Sequence, residues 1–199
     1  VAGTIDNTEY DKTHADRFTV DGKSITMEED VQFAHYDPNV ASLMQLGKWF
    51  DYMRENGVYD NTRIILVADH GRGLYLNWDR VIDNGPDTDF FFPLLMVKDF
   101  NAKGFSFSDT FMTTADVPTL ATSGLIDNPT NPFTGNAINA NAKYDRPFYA
   151  FMSYDWDTSK NNGNQFFPGT WYRVDNQNAR DKRNWVMVGE NTVLPDALR

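Results

Sequence analysis

Asp69 and His70 are the residues of this sequence best suited to do chemistry. They follow a short apolar run at residues 64–67, whose β-branched residues predict a buried strand rather than a helix. Open α/β sheets place their ligands at the carboxyl ends of strands, and an aspartate with a histidine is half of a divalent-metal site. Neighbouring side chains on a regular strand point to opposite faces, so both can reach one ion only if the chain turns. Gly71 and Gly73 permit such a turn.

Each of these candidate residues also has a structural interpretation. His70 could instead be a hydrogen-bonded histidine in a turn. Arg72 follows the pair closely enough to reach a phosphate group with its fork of donors, although a surface salt bridge would use the same side chain. The residue types therefore favour a half-site for a metal ion without excluding the alternatives.

Composition narrows the function classes. A hydrophobic fraction of 41% with 15% aromatic residues is typical of a folded protein. The formal net charge of -10 argues against nucleic acid as a partner, because phosphate binding needs clustered Lys and Arg. The absence of cysteine excludes disulfides, thiolate metal sites and cysteine nucleophiles. No apolar stretch approaches the ~20 residues of a membrane span. We interpret the chain, which begins at Val1 without a signal-like pattern, as a piece of a longer protein.

The elements that would position Asp69 and His70 can be predicted from periodicity. Asp37 as N-cap and Pro38 at the first helical position predict a helix over residues 38–56, which Gly57 ends. Five apolar residues at helical spacing give this helix one apolar face: Val40, Leu43, Leu46, Phe50 and Met53. A shorter helix, capped by Asp116, is expected to stop at Gly124.

Short apolar runs predict five strands, at residues 63–68, 92–97, 147–153, 170–175 and 184–189. Strands that are apolar on both sides, alternating with helices, predict an α/β fold with a parallel or mixed sheet covered by helices. We expect a single domain over residues 1–199. It comprises an extended lead-in (1–35), a central part (36–140) and an aromatic, β-rich C-terminal part with short strands (141–199).

Several segments in order resemble the sulfatase and alkaline-phosphatase superfamily. They are residues 57–62 (GVYDNT), 64–71 (IILVADHG), 92–97 (FPLLMV), 114–120 (TADVPTL) and 131–135 (NPFTG). The block is most similar to the lipoteichoic-acid-synthase-like, phosphoglycerol-transferase branch. The resemblance covers residues 36–140, and its specificity comes from the order and spacing of several motifs together.

The resemblance implies the C-terminal portion of a three-layer α/β/α, alkaline-phosphatase-like domain. In that branch an acidic residue, a threonine nucleophile and the Asp-His pair bind one divalent ion, so Asp69 and His70 would be the last two ligands. The nucleophile and the other acid would lie upstream, in a longer protein called the parent below. This chain would then contain no catalytic residue and would be inactive alone.

The resemblance also implies a cofactor and substrate contacts. With three histidines and no cysteine, the chain suits a single hard ion, Mn²⁺ or Mg²⁺, with Zn²⁺ or Ca²⁺ as alternatives. His14 could correspond to a substrate-contacting histidine of the family, although a solvated surface histidine fits its spacing better. His35 could contact substrate or make a structural hydrogen bond near the helix start.

Two function classes follow. The first is the C-terminal part of a metal-dependent transferase or sulfatase-like hydrolase acting on phosphate or sulfate esters. Its parent would be membrane-anchored by upstream segments, lie on the extracytoplasmic face and transfer phosphoglycerol or phosphoethanolamine-type headgroups between a phospholipid and an envelope polymer. The alternative is a non-catalytic extracellular binding module whose C-terminal aromatic residues, including Trp171 and Trp185, stack on glycans.

Overall fold

The computed structural model describes residues 17–20, 23–27, 29–76, 78–153 and 167–198. These ranges contain two α-helices, α1 (Asp30–Glu55) and α2 (Val117–Thr122). They also contain seven strands: β1 (Arg17–Val20), β2 (Lys23–Thr26), β3 (Ile64–Val67), β4 (Leu95–Lys98), β5 (Phe148–Met152), β6 (Gly169–Val174) and β7 (Trp185–Thr192). The strands form three small sheets, β1–β2, β3–β4 and β5–β6–β7. The fold is therefore mixed α/β, with small antiparallel sheets and few helices.

Helix α1 begins earlier than predicted, at Asp30. The side-chain oxygen of Gln32 accepts a hydrogen bond from the Glu29 amide at 3.1 Å, which closes the first turn as in a capping box. Pro38 lies inside the helix, so the prediction that Asp37 caps its start is wrong. The predicted end is confirmed, because Asn56 is the C-cap and Gly57 follows with a φ of +69°.

The apolar face predicted for α1 is only partly buried. Met53 is buried, as is Ala41, whereas Leu43 and Trp49 are about half exposed. Part of the predicted apolar face of α1 is therefore exposed to solvent.

The strand positions predicted from apolar runs are confirmed to within a few residues. In the central pair, β3 runs antiparallel to β4 with Ile64 opposite Lys98 and Val67 opposite Leu95. Every strand pair in the described ranges is antiparallel, so the parallel pairing predicted for this sheet is not found there. An apolar run indicates burial of both strand faces, but it carries no information about strand direction.

Arg63 joins the start of β3 to the end of α2. Its Nη1 donates to three carbonyl oxygens that helix geometry leaves without an intrahelical partner. They belong to Leu120, Ala121 and Ser123, at 3.0, 3.1 and 2.7 Å. The guanidinium also pairs with Asp99 at 2.9 Å. This largely buried arginine therefore fixes α2 against the β3–β4 pair.

Asp116 closes the turn before α2. Its Oδ2 accepts from the Thr113 amide at 2.7 Å, and its Oδ1 accepts from Lys143 Nζ at 2.9 Å. Asp116 is the N-cap residue of α2, as predicted, although its side chain makes no capping hydrogen bond to that helix.

The C-terminal sheet holds a buried hydrophobic cluster, which consists of Ala150, Tyr172, Val174 and Trp185. The Phe91 ring packs 5.0 Å from the ring of Trp185. Because Phe91 precedes β4, this contact attaches the loop between β3 and β4 to the C-terminal sheet. No helix in the described ranges is both long enough and apolar enough to cross a membrane.

Candidate metal site

Asp69 and His70 lie directly after β3, on a short segment held on both sides by the backbone. Before them, the Ala68 amide donates to the Leu94 carbonyl oxygen at 2.9 Å, which extends the pairing of β3 with β4. After them, the Gly71 amide donates to the Phe90 carbonyl oxygen at 2.9 Å. Their position at the carboxyl end of a strand is as predicted, while their role as metal ligands stays a prediction.

The two side chains lie side by side and face solvent. Asp69 is 88% exposed and His70 is 69% exposed, and His70 Nε2 lies 3.7 Å from Asp69 Oδ2. The other carboxylate oxygen of Asp69 accepts from the His70 amide at 2.9 Å. His70 Nδ1 lies 2.7 Å from the Gly71 carbonyl oxygen. When Nδ1 carries the proton and donates to that carbonyl, Nε2 keeps its lone pair for a metal ion.

This donor pair fits one divalent ion. Two atoms bound to one ion by bonds of about 2.1 Å lie about 3.0 Å apart at a right angle and about 3.4 Å apart at a tetrahedral angle. The observed 3.7 Å is slightly wider, so a small rotation of either exposed side chain would bring both donors to one ion. No group of three or more His, Cys, Asp or Glu residues suited to a metal ion occurs among the described residues. The described residues therefore supply two candidate ligands at this site, Asp69 and His70.

The glycines after the pair are required for a different reason from the one predicted. Neither Gly71 nor Gly73 has a positive φ. A Cβ on Gly71 would lie 2.0 Å from the Asp89 carbonyl oxygen and 2.7 Å from that of Phe92. A Cβ on Gly73 would lie 2.6 Å from the Phe90 ring. These positions therefore need glycine because the segment after His70 passes very close to residues 87–92, and not because of a left-handed turn.

Asp87, which sequence reasoning missed, connects these two segments. Its side chain is fully buried, with 0% exposure. One carboxylate oxygen accepts from the Tyr75 amide at 2.9 Å and the other from the Asp89 amide at 3.0 Å. Burial raises the pKa of Asp87 above its ordinary 3.8, and the two amide hydrogen bonds oppose that rise. A sequence signal exists, since an aspartate after Gly85-Pro86 is a typical cap for the 3₁₀ turn Thr88–Phe91 that follows.

Arg72 is exposed beside the candidate pair. Its guanidinium lies 5.6 Å from the centre of the Phe90 ring, at a cation–π distance. The Phe90 ring therefore stabilises the charged Arg72 side chain, which is two residues after His70 in the sequence. This places the one predicted phosphate-binding arginine next to the predicted metal ligands.

The two remaining predicted site residues are His35 and His14. His35 lies within α1 rather than before it. One turn earlier, Gln32 Nε2 donates to the Leu74 carbonyl oxygen at 3.1 Å, which docks the start of α1 onto the loop that follows Asp69 and His70. His35 lies three residues after Gln32, close to one helical turn, and is half-buried. His14 lies outside the described residues.

No protein-family model matches the sequence. The chain likewise has no significant match among curated proteins or solved structures.

Proposed function

We propose that this chain is the C-terminal part of a metal-dependent catalytic domain of the sulfatase and alkaline-phosphatase type. The parent would be a phosphoglycerol- or phosphoethanolamine-type transferase, or a sulfatase-like hydrolase, acting on phosphate or sulfate esters. The observation that carries this proposal is the exposed pair of donors after β3, with His70 Nε2 and Asp69 Oδ2 3.7 Å apart. The motif order of residues 57–135 supports the same assignment.

Asp69 and His70 would supply one carboxylate oxygen and one imidazole nitrogen to a single ion. With no cysteine in the chain, oxygen-rich ligation favours Mn²⁺ or Mg²⁺, with Zn²⁺ or Ca²⁺ as alternatives. When bound, such an ion lowers the pKa of a coordinated hydroxyl and stabilises charge on a transferring phosphoryl group. The nucleophile and the remaining ligands would come from the upstream half of the parent.

An anionic ester needs local positive charge in a chain whose net charge is -10. Arg72 provides it beside the pair, supported on the Phe90 ring. We assign substrate contact to Arg72, to His35 near the start of α1 and to His14. A phospholipid headgroup or an envelope polymer at the extracytoplasmic face of a membrane is the proposed substrate.

The complete domain is proposed to be the three-layer α/β/α fold. Both strands of the β3–β4 pair remain apolar where they meet solvent, as at Val67 and Val97. Large hydrophobic residues of α1, such as Trp49, are exposed as well. Further strands and helices from the parent would cover these surfaces, which supports a larger fold around this chain.

Two tryptophans in the described portion of the C-terminal part weigh against the binding-module alternative. Trp185 is buried in the sheet core with its indole nitrogen donating to the Ala179 carbonyl at 2.8 Å. Trp171 packs against Phe151 in a tilted arrangement, with ring centres 4.8 Å apart. Aromatic rings used in packing offer little face to a glycan, so the enzyme is the better proposal.

Turnover by the parent tests the proposal. We expect metal-dependent release of product from a glycerophospholipid or from an aryl sulfate, and the preferred substrate separates transferase from sulfatase. Loss of one metal ligand in His70→Ala should cost about 3 kcal/mol or more, which is about a hundredfold or more in rate. The control Asp109→Asn changes a highly exposed surface carboxylate and should leave the rate unchanged.

Two results would contradict the proposal. One is a His70→Ala parent that is as active as wild type. The other is robust metal-dependent turnover by the 199-residue chain alone, because its nucleophile would then lie within the chain.

A further inference from the structure

Asp87 is the most completely buried carboxylate among the described residues, and its two oxygens serve two different segments. One oxygen holds the Tyr75 amide, in the loop that follows His70. The other holds the Asp89 amide at the start of the 3₁₀ turn. A carboxylate can accept from both amides at once, whereas a side-chain amide has only one oxygen and would leave one N–H without an acceptor.

The turn that Asp87 caps is the one that holds the backbone beside His70. The Phe90 amide donates to the Asp87 carbonyl at 3.2 Å, and the Phe90 carbonyl accepts from the Gly71 amide at 2.9 Å. The carbonyl of that same Gly71 residue is the partner of His70 Nδ1, at 2.7 Å. A series of hydrogen bonds therefore runs from the Asp87 backbone carbonyl through Phe90 and Gly71 to the imidazole. The Asp87 carboxylate supports this series indirectly, because it holds the Asp89 amide in the same turn and the Tyr75 amide in the loop after His70.

We propose that Asp87 is a positioning residue that holds the Gly71 carbonyl against His70 Nδ1 and so keeps Nε2 available to the metal ion. The inference deepens the proposed function, since it assigns to a buried carboxylate the control of which nitrogen of His70 is protonated. The neutral ring of a histidine side chain in water carries its proton mainly on Nε2, which would block the atom nearest Asp69. Fixing the Gly71 carbonyl reverses that preference before any ion arrives.

The protonation site of His70 tests this directly and needs no metal ion. It is read from the ¹⁵N chemical shifts of the two ring nitrogens in the labelled 199-residue chain, under conditions in which the spectrum shows the neutral ring, because only the neutral ring has two tautomers. In wild type we expect most His70 to carry the proton on Nδ1. In Asp87→Asn that population should fall at least about twofold in favour of Nε2–H, because one of the two amides loses its acceptor.

A second variant and a matched control keep the test decisive. Asp87→Ser retains a good cap for the 3₁₀ turn but cannot also reach Tyr75, so it addresses the same link if Asp87→Asn does not fold. It should shift the tautomer in the same direction. Asp83→Asn makes the identical chemical change at a 90% exposed carboxylate in the same loop, and it should leave His70 unchanged.

The outcomes separate this inference from the proposed function. A folded Asp87 variant with an unchanged tautomer, or a wild-type His70 that is mainly Nε2–H, would overturn the positioning role even if His70→Ala inactivates the parent. If the Asp87 variants shift the tautomer of His70 but the parent carrying His70→Ala remains active, the positioning role is supported and the proposed function is contradicted.

Discussion

Replacement of Gly71 by alanine tests how tightly the candidate site is built. The added Cβ would lie 2.0 Å from the Asp89 carbonyl oxygen and 2.7 Å from the Phe92 carbonyl oxygen. Both contacts are to backbone atoms, so no side chain can rotate to relieve them. The segment must move away from residues 89–92, and this movement breaks the 2.9 Å hydrogen bond from the Gly71 amide to Phe90.

The size of the effect follows from these two losses. Overpacking costs about 1–3 kcal/mol, and a lost backbone hydrogen bond costs about 0.5–1.5 kcal/mol. We therefore expect Gly71→Ala to destabilise this region by about 2–4 kcal/mol. Gly47→Ala is the matched control, because Gly47 lies within α1 and a Cβ there has nothing within 4 Å. It should stabilise the helix by about 0.5–1 kcal/mol.

Amide hydrogen exchange measures this locally. The Ala68 amide is bonded to Leu94 across the β3–β4 pair and reports opening of the region. At 1.4 kcal/mol per tenfold, Gly71→Ala should accelerate its exchange by about 30-fold to 700-fold, while Gly47→Ala should not accelerate it. A Gly71→Ala chain within about 0.5 kcal/mol of wild type would refute the close approach on which the site description rests.

Two further predictions concern charged side chains away from the candidate pair. Arg63→Lys should lower the free energy of unfolding, measured by urea denaturation, by about 1–3 kcal/mol, because a single ammonium cannot bind Asp99 and three carbonyls at once. The exposed control Arg54→Lys should cost about 0.5 kcal/mol or less. An Arg63→Lys cost no larger than that of the control would contradict the prediction. Hydrogen bonding from Arg183 lowers the pKa of Asp181 from 3.8 to about 2. Since the folded value is depressed, this stabilisation is present above pH 3.8 and is lost as the pH falls towards about 2. Asp181 also caps the 3₁₀ turn Lys182–Asn184 by accepting from the Arg183 amide, and asparagine can still do so. Asp181→Asn should therefore be less stable than wild type above pH 3.8, with a difference that shrinks as the pH falls towards about 2. A pH-independent difference in unfolding midpoint would argue against the Asp181–Arg183 ion pair.

Local patterns in the sequence were sufficient to place most of the secondary structure. Apolar runs located β3, β4 and the three C-terminal strands, and Gly57 marked the end of α1. The start of α1 was missed because Asp37-Pro38 is a strong start signal, whereas the capping turn at Glu29 and Gln32 precedes the periodic part of the helix. Strand direction was missed because antiparallel and parallel strands can both be apolar on both faces.

The candidate site was predictable in its residues but not in its supports. Asp69 and His70 stand out by type and by position after a strand. The need for glycine at residue 71 comes from the approach of residues 89–92, which are distant in sequence. Asp87 looks like an ordinary loop aspartate until its burial and its bond to Tyr75 are known. The close approach at Gly71 and the hydrogen bond from Tyr75 to Asp87 join segments that are distant in sequence, so no local sequence pattern predicts them.

Binding of Mn²⁺ to the 199-residue chain tests the central claim that Asp69 and His70 are two ligands of one ion. Paramagnetic broadening of the amide signals locates the ion, and Asp109→Asn controls for weak attraction to the acidic surface. We predict that the signals of residues 69–71 broaden first, with a weak dissociation constant of about 1 mM, and that Asp69→Asn abolishes this selectivity while Asp109→Asn does not. Broadening that ignores residues 69–71, or that persists there in Asp69→Asn, would contradict the site. Submicromolar affinity lost in Asp69→Ala would instead show that the site is complete within this chain and that the half-site account is wrong.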